Sequence, residues 1–208
     1  MKIEYSLFAT GLLESNCCVV YNREINKCLI IDPSQGCSEV IGFIKKESLT
    51  PVAILLTHGH FDHITGIPEI HSEFGDLTVY IHPGDAPMLQ NSDLNGSVML
   101  GMNFSYKGQV NELKAGPMKL EEFEFSVIHL PGHTPGGCAF VFDKVCFSGD
   151  VLFAGSVGRS DFPGGDGEEL IRGIKTRLMA LPDDTVVCPG HGGRTTIARE
   201  RKLNPFLL

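Results

Sequence analysis

Three histidines and an aspartate lie within six residues of the segment THGHFDHITG at positions 57–66. His58, His60, Asp62 and His63 directly follow the apolar run VAILL. Neutral imidazoles and carboxylates are common ligands of Zn²⁺, Fe²⁺ and Mn²⁺ in proteins. Because the whole chain of 208 residues contains only eight histidines, this concentration indicates a metal site rather than a histidine-rich surface loop.

Three further candidate ligands follow apolar, strand-like runs in the same way. His133 follows FSVIHL within PGHTPGG, Asp150 follows VCFSG, and His191 follows TVVC within PGHGG. Loops at the ends of strands are common positions for binding sites, and strand ends that are distant in sequence can converge in space. Seven ligand groups exceed the four of a tetrahedral ion. They are enough for two ions if one carboxylate is shared.

Hydrophobic periodicity predicts an alternation of short strands with helices. Residues 91–116 and 157–169 are predicted to be long loops, which in a compact domain are usually functional or mobile. The predicted strands are 3–9, 17–21, 28–31, 52–57, 78–82, 123–129, 138–142, 145–148 and 185–188. The predicted helices are 38–47, 64–74, 83–90, 168–181 and 195–203.

Length and composition narrow the class of protein. A chain of 208 residues without a Ser/Pro/Gly-rich linker fits a single domain spanning 1–208. The net charge of −8 and the absence of a Lys/Arg cluster exclude an electrostatic nucleic-acid surface. No apolar run reaches the length of a membrane span, and residues 1–16 do not resemble a signal peptide. We therefore expect a small-molecule substrate and neither a nucleic-acid nor a membrane partner.

The seven cysteines indicate free thiols in a reducing compartment rather than a set of disulfide bonds. Their number is odd, no two are spaced as C-x-x-C, and most lie in apolar runs such as CCVVY and CLII. Buried free thiols are the simplest interpretation, and they favour the reducing cytoplasm.

The motifs THGHFDH, PGHTPGG, SGD and PGHG, in this order, resemble the metallo-β-lactamase superfamily over essentially the whole chain. The segments GDVLFAGSVGRSDFPGGD and RERKLNPFL are similar to the short, glyoxalase II-like (hydroxyacylglutathione hydrolase-like) hydrolases. The resemblance implies an α/β fold, the four-layer αβ/βα sandwich with two sheets inside and helices outside. It also implies a first metal held by His58, His60 and His133, and a second held by Asp62, His63 and His191, with Asp150 bridging both.

The implied activity is that of a binuclear metallohydrolase. Two divalent ions, zinc first but also iron or manganese, would generate a bridging hydroxide at neutral pH. We expect this hydroxide to attack a small acyl thioester such as S-lactoylglutathione, with Asp62 as a ligand that also orients the nucleophile. A thiolate can leave without a general acid, because a thiol pKa is about 8.5.

Longer glyoxalase II enzymes carry a C-terminal segment that binds glutathione. No such segment follows the last ligand here, so we expect weak selectivity for the thiol carrier.

An iron-dependent persulfide dioxygenase is the alternative. His58, His133 and Asp150 would then form a two-histidine, one-carboxylate iron site. GRSDF is similar to the GRTDF-like motif of that family. The complete second ligand set favours the hydrolase. Because Asp150 stands where many β-lactamases of the superfamily place a cysteine, hydrolysis of β-lactams is disfavoured.

Several other polar residues are expected to support the site. Arg159 and Asp161 should form an ion pair that fixes their loop, with contact to the substrate as the alternative, and Asn16 should support the metal-site loops. Thr57 and Thr134 should orient ligands through hydrogen bonds.

The three remaining histidines are predicted to lie outside the ligand set. His71 is expected on a solvated helix face. His82 and His129 end predicted strands, and we expect them to have packing or supporting roles.

Overall fold

The computed structural model describes residues 3–208, and its centre is a pair of six-stranded β-sheets. In the first sheet the strands lie side by side in chain order. They are β1 (Glu4–Thr10), β2 (Ser15–Asn22), β3 (Lys27–Ile31), β4 (Thr50–Leu55), β5 (Thr78–Ile81) and β6 (Val110–Glu112). The pairs β1–β2 and β2–β3 are antiparallel, whereas β3 to β6 are parallel. The C-terminal ends of β3, β4 and β5 therefore share one edge.

The second sheet has the spatial order β14-β13-β10-β9-β8-β7. Its strands are β7 (Gly116–Leu120), β8 (Phe123–His129), β9 (Cys138–Phe142), β10 (Val145–Gly149), β13 (Val186–Pro189) and β14 (Thr195–Thr196), and a separate hairpin pairs β11 (Leu152–Phe153) with β12 (Ser156–Val157). Only β10 and β13 pair in parallel. Strands β8, β10 and β13 consequently end at the same edge of this sheet.

Four α-helices accompany the sheets. They are α1 (Ser38–Lys46), α2 (Ile67–Phe74), α3 (Gly167–Gly173) and α4 (Ile197–Leu203). Helix α3 widens into a π-helical turn at Ile174–Leu178, and short 3-10 turns lie at Phe61–His63, Ala86–Gln90 and Ser97–Leu100. No helix among residues 3–208 combines the length and the apolar character that crossing a membrane requires.

Side-chain alternation along the strands produces three apolar layers. Along β2, Cys17 and Val19 face helices α1 and α2, whereas Cys18 and Val20 face the second sheet. Both faces of β2 are therefore buried, which explains why its sequence is a continuous apolar run. Five phenylalanines of the second sheet fill the layer between the sheets, and the outer face of that sheet packs against α3 and α4. The layers confirm the αβ/βα sandwich.

The ends of the two sheets meet at Thr57. The backbone N–H of Cys138 donates to the carbonyl oxygen of Thr57 at 2.7 Å. Gly149, which has φ of +50°, ends β10 so close to Thr57 that a Cβ at this position would overlap the threonine hydroxyl. Glycine is favoured here by both the left-handed backbone and the close approach. This contact brings the strand ends of both sheets to one place.

Several predicted element boundaries were wrong. The predicted helix at 83–90 is only the 3-10 turn Ala86–Gln90, and the helix predicted from residue 64 begins at Ile67, after the turn Phe61–His63. Thr195 pairs with Val187 in β14 instead of starting α4. The predicted loop 91–116 contains a 3-10 turn and the three-residue strand β6.

Candidate metal centre

The first of the two predicted ligand sets converges as expected. His58 and His60 follow β4, and His133 follows β8 on the other sheet. Ligand atoms of these three histidines lie within 4.8 Å of one another, and all three side chains are buried. The shortest separation, 2.9 Å, joins Nδ1 of His60 to Nε2 of His133. A single cation could contact all three rings.

The second set lies beside the first. Asp62 and His63 belong to the 3-10 turn after β4, and His191 follows β13. The Oδ2 atom of Asp62 lies 3.1 Å from Nε2 of His191 and 3.4 Å from Nε2 of His63. Both turns are needed to assemble this set, so it forms only when the two sheets are packed together.

Asp150 lies between the two sets. Its Oδ1 is 3.5 Å from Nε2 of His63, and its Oδ2 is 3.5 Å from Nε2 of His191. Its Oδ2 also lies 3.7 Å from Nε2 of His133, which belongs to the first set. The carboxylate therefore lies against residues of both sets. All seven predicted residues lie in one cluster.

Three atoms of the cluster are buried and make no hydrogen bond: Nε2 of His58, and Nε2 of His63 and Oδ1 of Asp150, which lie 3.5 Å apart. An unpaired polar atom in the interior is energetically costly, about 1–3 kcal/mol each. Cations would satisfy these atoms, because each is a good ligand atom that points into the cluster. The donor set thus fits divalent metal ions.

The outward ring nitrogens of three histidines, His58, His133 and His191, are held by neighbouring groups. Nδ1 of His58 lies 3.0 Å from the hydroxyl of Thr57, as predicted. Nδ1 of His133 lies 2.7 Å from the carbonyl oxygen of Arg159, and Nδ1 of His191 lies 3.0 Å from that of Leu13. Such contacts fix the tautomer that leaves Nε2 free for a metal.

Asp32 was missed by the sequence analysis. Its buried carboxylate accepts hydrogen bonds from the backbone N–H and the hydroxyl of Thr57, at 2.7 and 2.5 Å, and lies 3.1 Å from Nδ1 of His63. Asp32 is near His58 and His63, but its oxygens are occupied by these donors. It therefore orients the ligand turn. Its position directly after the apolar run CLII was the available signal.

Asp85 was also missed, and it ties the two ligand loops together. Its Oδ2 accepts hydrogen bonds from the backbone of Gly59 at 3.0 Å and from the hydroxyl of Thr134 at 2.7 Å. Its Oδ1 accepts one from the backbone of Gly136 at 2.6 Å. Gly59 separates two ligands of the first set, and Thr134 follows the third. Burial raises the pKa of Asp85, partly opposed by these hydrogen bonds.

The remaining supporting residues mostly agree with expectation. Asn16 donates from Nδ2 to the carbonyl oxygens of Pro189 and Gly192, at 2.9 and 3.0 Å, and so fixes the loop of His191. Arg159 forms a bidentate ion pair with Asp161, at 2.7 and 2.8 Å.

The predictions for the other histidines had mixed outcomes. His82 and His129 stack on each other with ring centroids 3.9 Å apart, a packing role. The solvated position predicted for His71 was wrong, because its side chain is only 13% exposed and its ring contacts Tyr106.

Electrostatic coupling distinguishes the two sets. Burial lowers the pKa of His60 to about 3, assisted by the neighbouring His133. At His191 burial also acts to lower the pKa, but hydrogen bonds with Asp150 and Asp62 raise it to about 9. Burial acts to raise the pKa of Asp62, and the charge of His63 together with hydrogen bonds from His191 outweighs it and lowers the value. The second set is thus a network of opposite charges.

A cavity of about 310 Å³ opens onto the cluster. His60, Asp62, His133, Asp150 and His191 form its polar floor. Apolar side chains from three separate segments form much of its wall: Leu13, Leu94, Met99, Leu100, Phe162 and Pro163. A small molecule could therefore reach five of the seven predicted ligands.

The fold and the cluster together are those of a metallohydrolase superfamily, and the sequence comparison agrees. Residues 10–191 match the family model of the metallo-β-lactamase superfamily. The chain belongs to this superfamily, as the motifs predicted.

Individual relatives add detail. The chain is 36% identical to the hydroxyacylglutathione hydrolase GloC of Haemophilus influenzae, covering 100% of this chain and 98% of that protein. It is similar to the crystal structure of the BLEG-1 B3 metallo-β-lactamase, with a TM-score of 0.93 and 38% identity over 98% of this chain and 99% of that one. It is also similar to TTHA1623 in a di-iron-bound form, with a TM-score of 0.86 and 39% identity over 97% and 100% of the two chains.

Proposed function

We propose that this protein is a binuclear metal-dependent hydrolase of small acyl thioesters such as S-lactoylglutathione. The carrying observation is the convergence of seven ligand side chains, three of which have buried atoms without a hydrogen-bond partner. The resemblance to GloC supports the thioester. Divalent cations in this cluster would lower the pKa of a water molecule toward about 7 and polarise the substrate carbonyl.

The ligand roles follow the two sets and the position of Asp150 between them. We assign one cation to His58, His60 and His133, a second to Asp62, His63 and His191, and the shared position to Asp150. Imidazole and carboxylate donors suit zinc, which we propose, and they also accept iron or manganese. The resemblance to TTHA1623 in its di-iron form supports iron as the second choice.

Asp62 is the residue that we propose to act on the nucleophile. Its lowered pKa keeps it ionised, and an ionised carboxylate can only accept hydrogen bonds. The hydroxyl of Ser15 donates to its Oδ2 at 2.9 Å and fixes its orientation. Asp62 can therefore orient an attacking water as well as contact a cation.

A thioester substrate also suits a site in which no side chain is free to act as a general acid. The imidazoles of the cluster are all assigned to cations, so none remains to protonate a leaving group. A thiolate departs unaided, because the thiol pKa is about 8.5, whereas an alkoxide or an amide nitrogen needs a proton.

We also propose that the protein works in the cytoplasm on a small molecule. All seven cysteines are free and buried, which supports a reducing compartment. The net charge of −8 supports the absence of a nucleic-acid partner.

The metal content tests the first part of the proposal. Protein reconstituted with zinc should contain close to two ions per chain by elemental analysis. A fully loaded preparation with one ion, absent from Asp62 and His191, would contradict the binuclear assignment.

A substrate panel tests the reaction. Zinc-loaded protein under strict anaerobiosis should hydrolyse S-lactoylglutathione as fast as it does in air. If turnover requires oxygen, iron and a persulfide, the dioxygenase that uses His58, His133 and Asp150 replaces this proposal.

A second candidate, favoured by the resemblance to BLEG-1, is hydrolysis of β-lactams. Faster turnover of a penicillin or cephalosporin than of any thioester would establish it instead.

A further inference from the structure

Exposed apolar side chains concentrate beside the metal cluster. Among residues 3–208, six of the large apolar side chains that are exposed lie on two segments next to the cavity: Leu12, Leu13, Leu94, Val98, Met99 and Leu100. The others, Leu203, Phe206 and Leu208, lie near the C-terminal end of the chain. Clustered apolar exposure is uncommon on a protein surface and marks binding sites.

The first segment is attached to the cluster itself. Leu12 and Leu13 form part of the turn between β1 and β2. The carbonyl oxygen of Leu13 lies 3.0 Å from Nδ1 of His191, so the turn that carries the two leucines is fixed to a predicted ligand. The apolar side chains on it therefore have a defined position relative to the cluster.

The second segment is anchored by Asn95, which is fully buried. Its Nδ2 donates to the carbonyl oxygens of Met88 and Phe104, at 3.0 and 3.1 Å, and its Oδ1 accepts from the backbone of Ser97 at 3.0 Å. Its own carbonyl oxygen accepts from the backbone of Phe61, at the start of the ligand turn. Met99 and Leu100 are thus presented by a fixed turn.

The charges on the cavity wall do not favour an anionic ligand. Arg159 is the cationic side chain of the lining, and the Nε–Nη2 edge of its guanidinium donates to both carboxylate oxygens of Asp161. Its planar face lies 3.9 Å over the ring of Phe162. Asp93 adds a negative charge to the lining. An anionic group, such as the carboxylates of glutathione, meets no unpaired cationic side chain on this wall.

We infer that this surface binds an uncharged apolar group of the substrate, on the acyl side of the scissile bond. The inference rests on the proposed hydrolysis of thioesters and specifies their class: aliphatic or aromatic acyl thioesters, with no requirement for glutathione as carrier. The fixed apolar wall supplies binding energy for the acyl chain, whereas the arginine of the lining, Arg159, is already paired with Asp161.

A substrate series tests the class directly. Lactoyl, acetyl, butanoyl and hexanoyl thioesters of the neutral carrier N-acetylcysteamine are compared with the same acyl groups on glutathione. The expected order of kcat/KM is hexanoyl above butanoyl above acetyl and lactoyl, by roughly threefold or more for each pair of methylenes. The order should be the same on both carriers. A preference for lactoyl over hexanoyl, or for glutathione over the neutral carrier, would overturn the inference.

Substitutions test whether the dependence on acyl-chain length arises from the apolar cavity wall. Met99→Ser should raise KM for the hexanoyl thioester roughly fivefold, on the scale of one partly buried apolar side chain, and should raise KM for the acetyl thioester by a clearly smaller factor. Leu203→Ser is the matched control, because Met99 and Leu203 are both 67% exposed and only Met99 lines the cavity. Equal effects of Met99→Ser on hexanoyl and acetyl substrates, or an effect of Leu203→Ser as large as that of Met99→Ser, contradict the assignment.

A binding measurement separates this inference from the proposed reaction. The thioether S-hexyl-N-acetylcysteamine cannot be hydrolysed, and its affinity for zinc-loaded protein is measured by titration calorimetry. Tighter binding than that of the S-methyl compound, weakened by Met99→Ser, supports the apolar site even if no thioester is hydrolysed. Thioester hydrolysis without any dependence on chain length leaves the reaction in place and rejects the apolar site.

Discussion

His191 is the least buried member of the cluster, with a side chain that is 28% exposed. It closes the second set from the solvent side and contacts both Asp62 and Asp150. Because the other ligands are held in buried turns, His191 is the ligand whose removal should disturb the surrounding packing least. It therefore offers the sharpest test at the scale of a single residue.

We expect His191→Ala to reduce the zinc content from two ions toward one per chain and to lower kcat/KM at least about 100-fold. Elemental analysis and steady-state kinetics measure the two effects. His82→Asn is the control, because an asparagine can accept the hydrogen bond that Gly84 donates to Nδ1 of His82. His71→Ala is a less suitable control, because the side chain of His71 is only 13% exposed and its loss would leave a gap beside Tyr106. Full zinc content in His191→Ala would exclude His191 as a ligand.

The pKa of His191 also predicts how the metal-free protein responds to pH. The folded-state pKa of about 9 exceeds the ordinary value of 6.5. Protonated His191 therefore adds stability that is fully present below about pH 6.5 and is lost as the pH rises through about 9. We expect the free energy of unfolding of chelator-treated protein to fall over this range, as measured by urea denaturation.

The comparison variant for this experiment is His191→Asn, which lacks the titrating ring. Its metal-free form should lose less stability between pH 6.5 and 9 than the metal-free wild type. Zinc should reverse the trend in the wild type, because a cation requires the neutral imidazole and binds more tightly as the pH rises. Parallel pH profiles for the two metal-free proteins would rule out this role of His191.

At the scale of the elements, the turn after β13 determines how closely the loop of His191 approaches Asp150 and His63. A Cβ on Gly190 would overlap Oδ1 of Asp150 and lie 2.8 Å from Cε1 of His63. Gly193, three residues further on, has open space around the same position. Gly190 and Gly193 therefore differ in whether a Cβ atom fits.

Gly190→Ala should therefore displace Asp150 or His63 and lower the zinc content, although no ligand is replaced. Overpacking of this kind costs about 1–3 kcal/mol of unfolding free energy. Gly193→Ala should retain the zinc content and stability of the wild type. Elemental analysis and denaturation of both variants provide the measurement, and normal zinc binding by Gly190→Ala would contradict the packing described at this turn.

The sequence predicted the strand ends better than it predicted the contacts between them. Histidines after apolar runs are rare enough to single out, so the five histidines of the cluster were identified from residue type and position, and Asp62 and Asp150 from their place in the same motifs. Asp32 follows the apolar run CLII directly, and Asp85 follows TVYI after three residues, but aspartate is common in turns, so its position is a weaker signal than that of a histidine. Their roles depend on partners as distant as Gly136, which a linear pattern does not show.

The predicted element boundaries were wrong where pairing with a neighbouring strand determined the backbone conformation. Thr195 has helical periodicity with the residues of α4, yet it pairs with Val187 on the edge of the second sheet. Strand β6 has three residues, too few for an alternation to be recognised, and it forms because β5 offers a parallel edge.

At the scale of the whole molecule, the cluster joins the two sheets. Four of the predicted ligands follow β4 of the first sheet, and His133, Asp150 and His191 follow strands of the second. A ligand that binds only the folded protein stabilises it, by about 2.7 kcal/mol when its free concentration is 100 times Kd. Bound cations should therefore oppose separation of the sheets.

Removal of zinc by a chelator should lower the thermal midpoint by roughly 5–10 °C for a chain of this size. Calorimetry of the chelator-treated and reconstituted proteins measures the difference. Restoring zinc, but not magnesium, should recover the midpoint, since the nitrogen-rich donor set disfavours magnesium. An unchanged midpoint after complete removal would contradict a cation bridge between the sheets.

The distribution of the cysteines makes unfolding visible without any engineered label. Four thiols, Cys17, Cys18, Cys28 and Cys37, belong to the first half of the sandwich, and Cys138, Cys146 and Cys188 lie on strands of the second sheet. All are shielded from reagents in the folded state. Alkylation of a thiol thus reports a transient opening of the half in which it lies. Mass spectrometry of the labelled peptides would then show whether the two halves open together or separately.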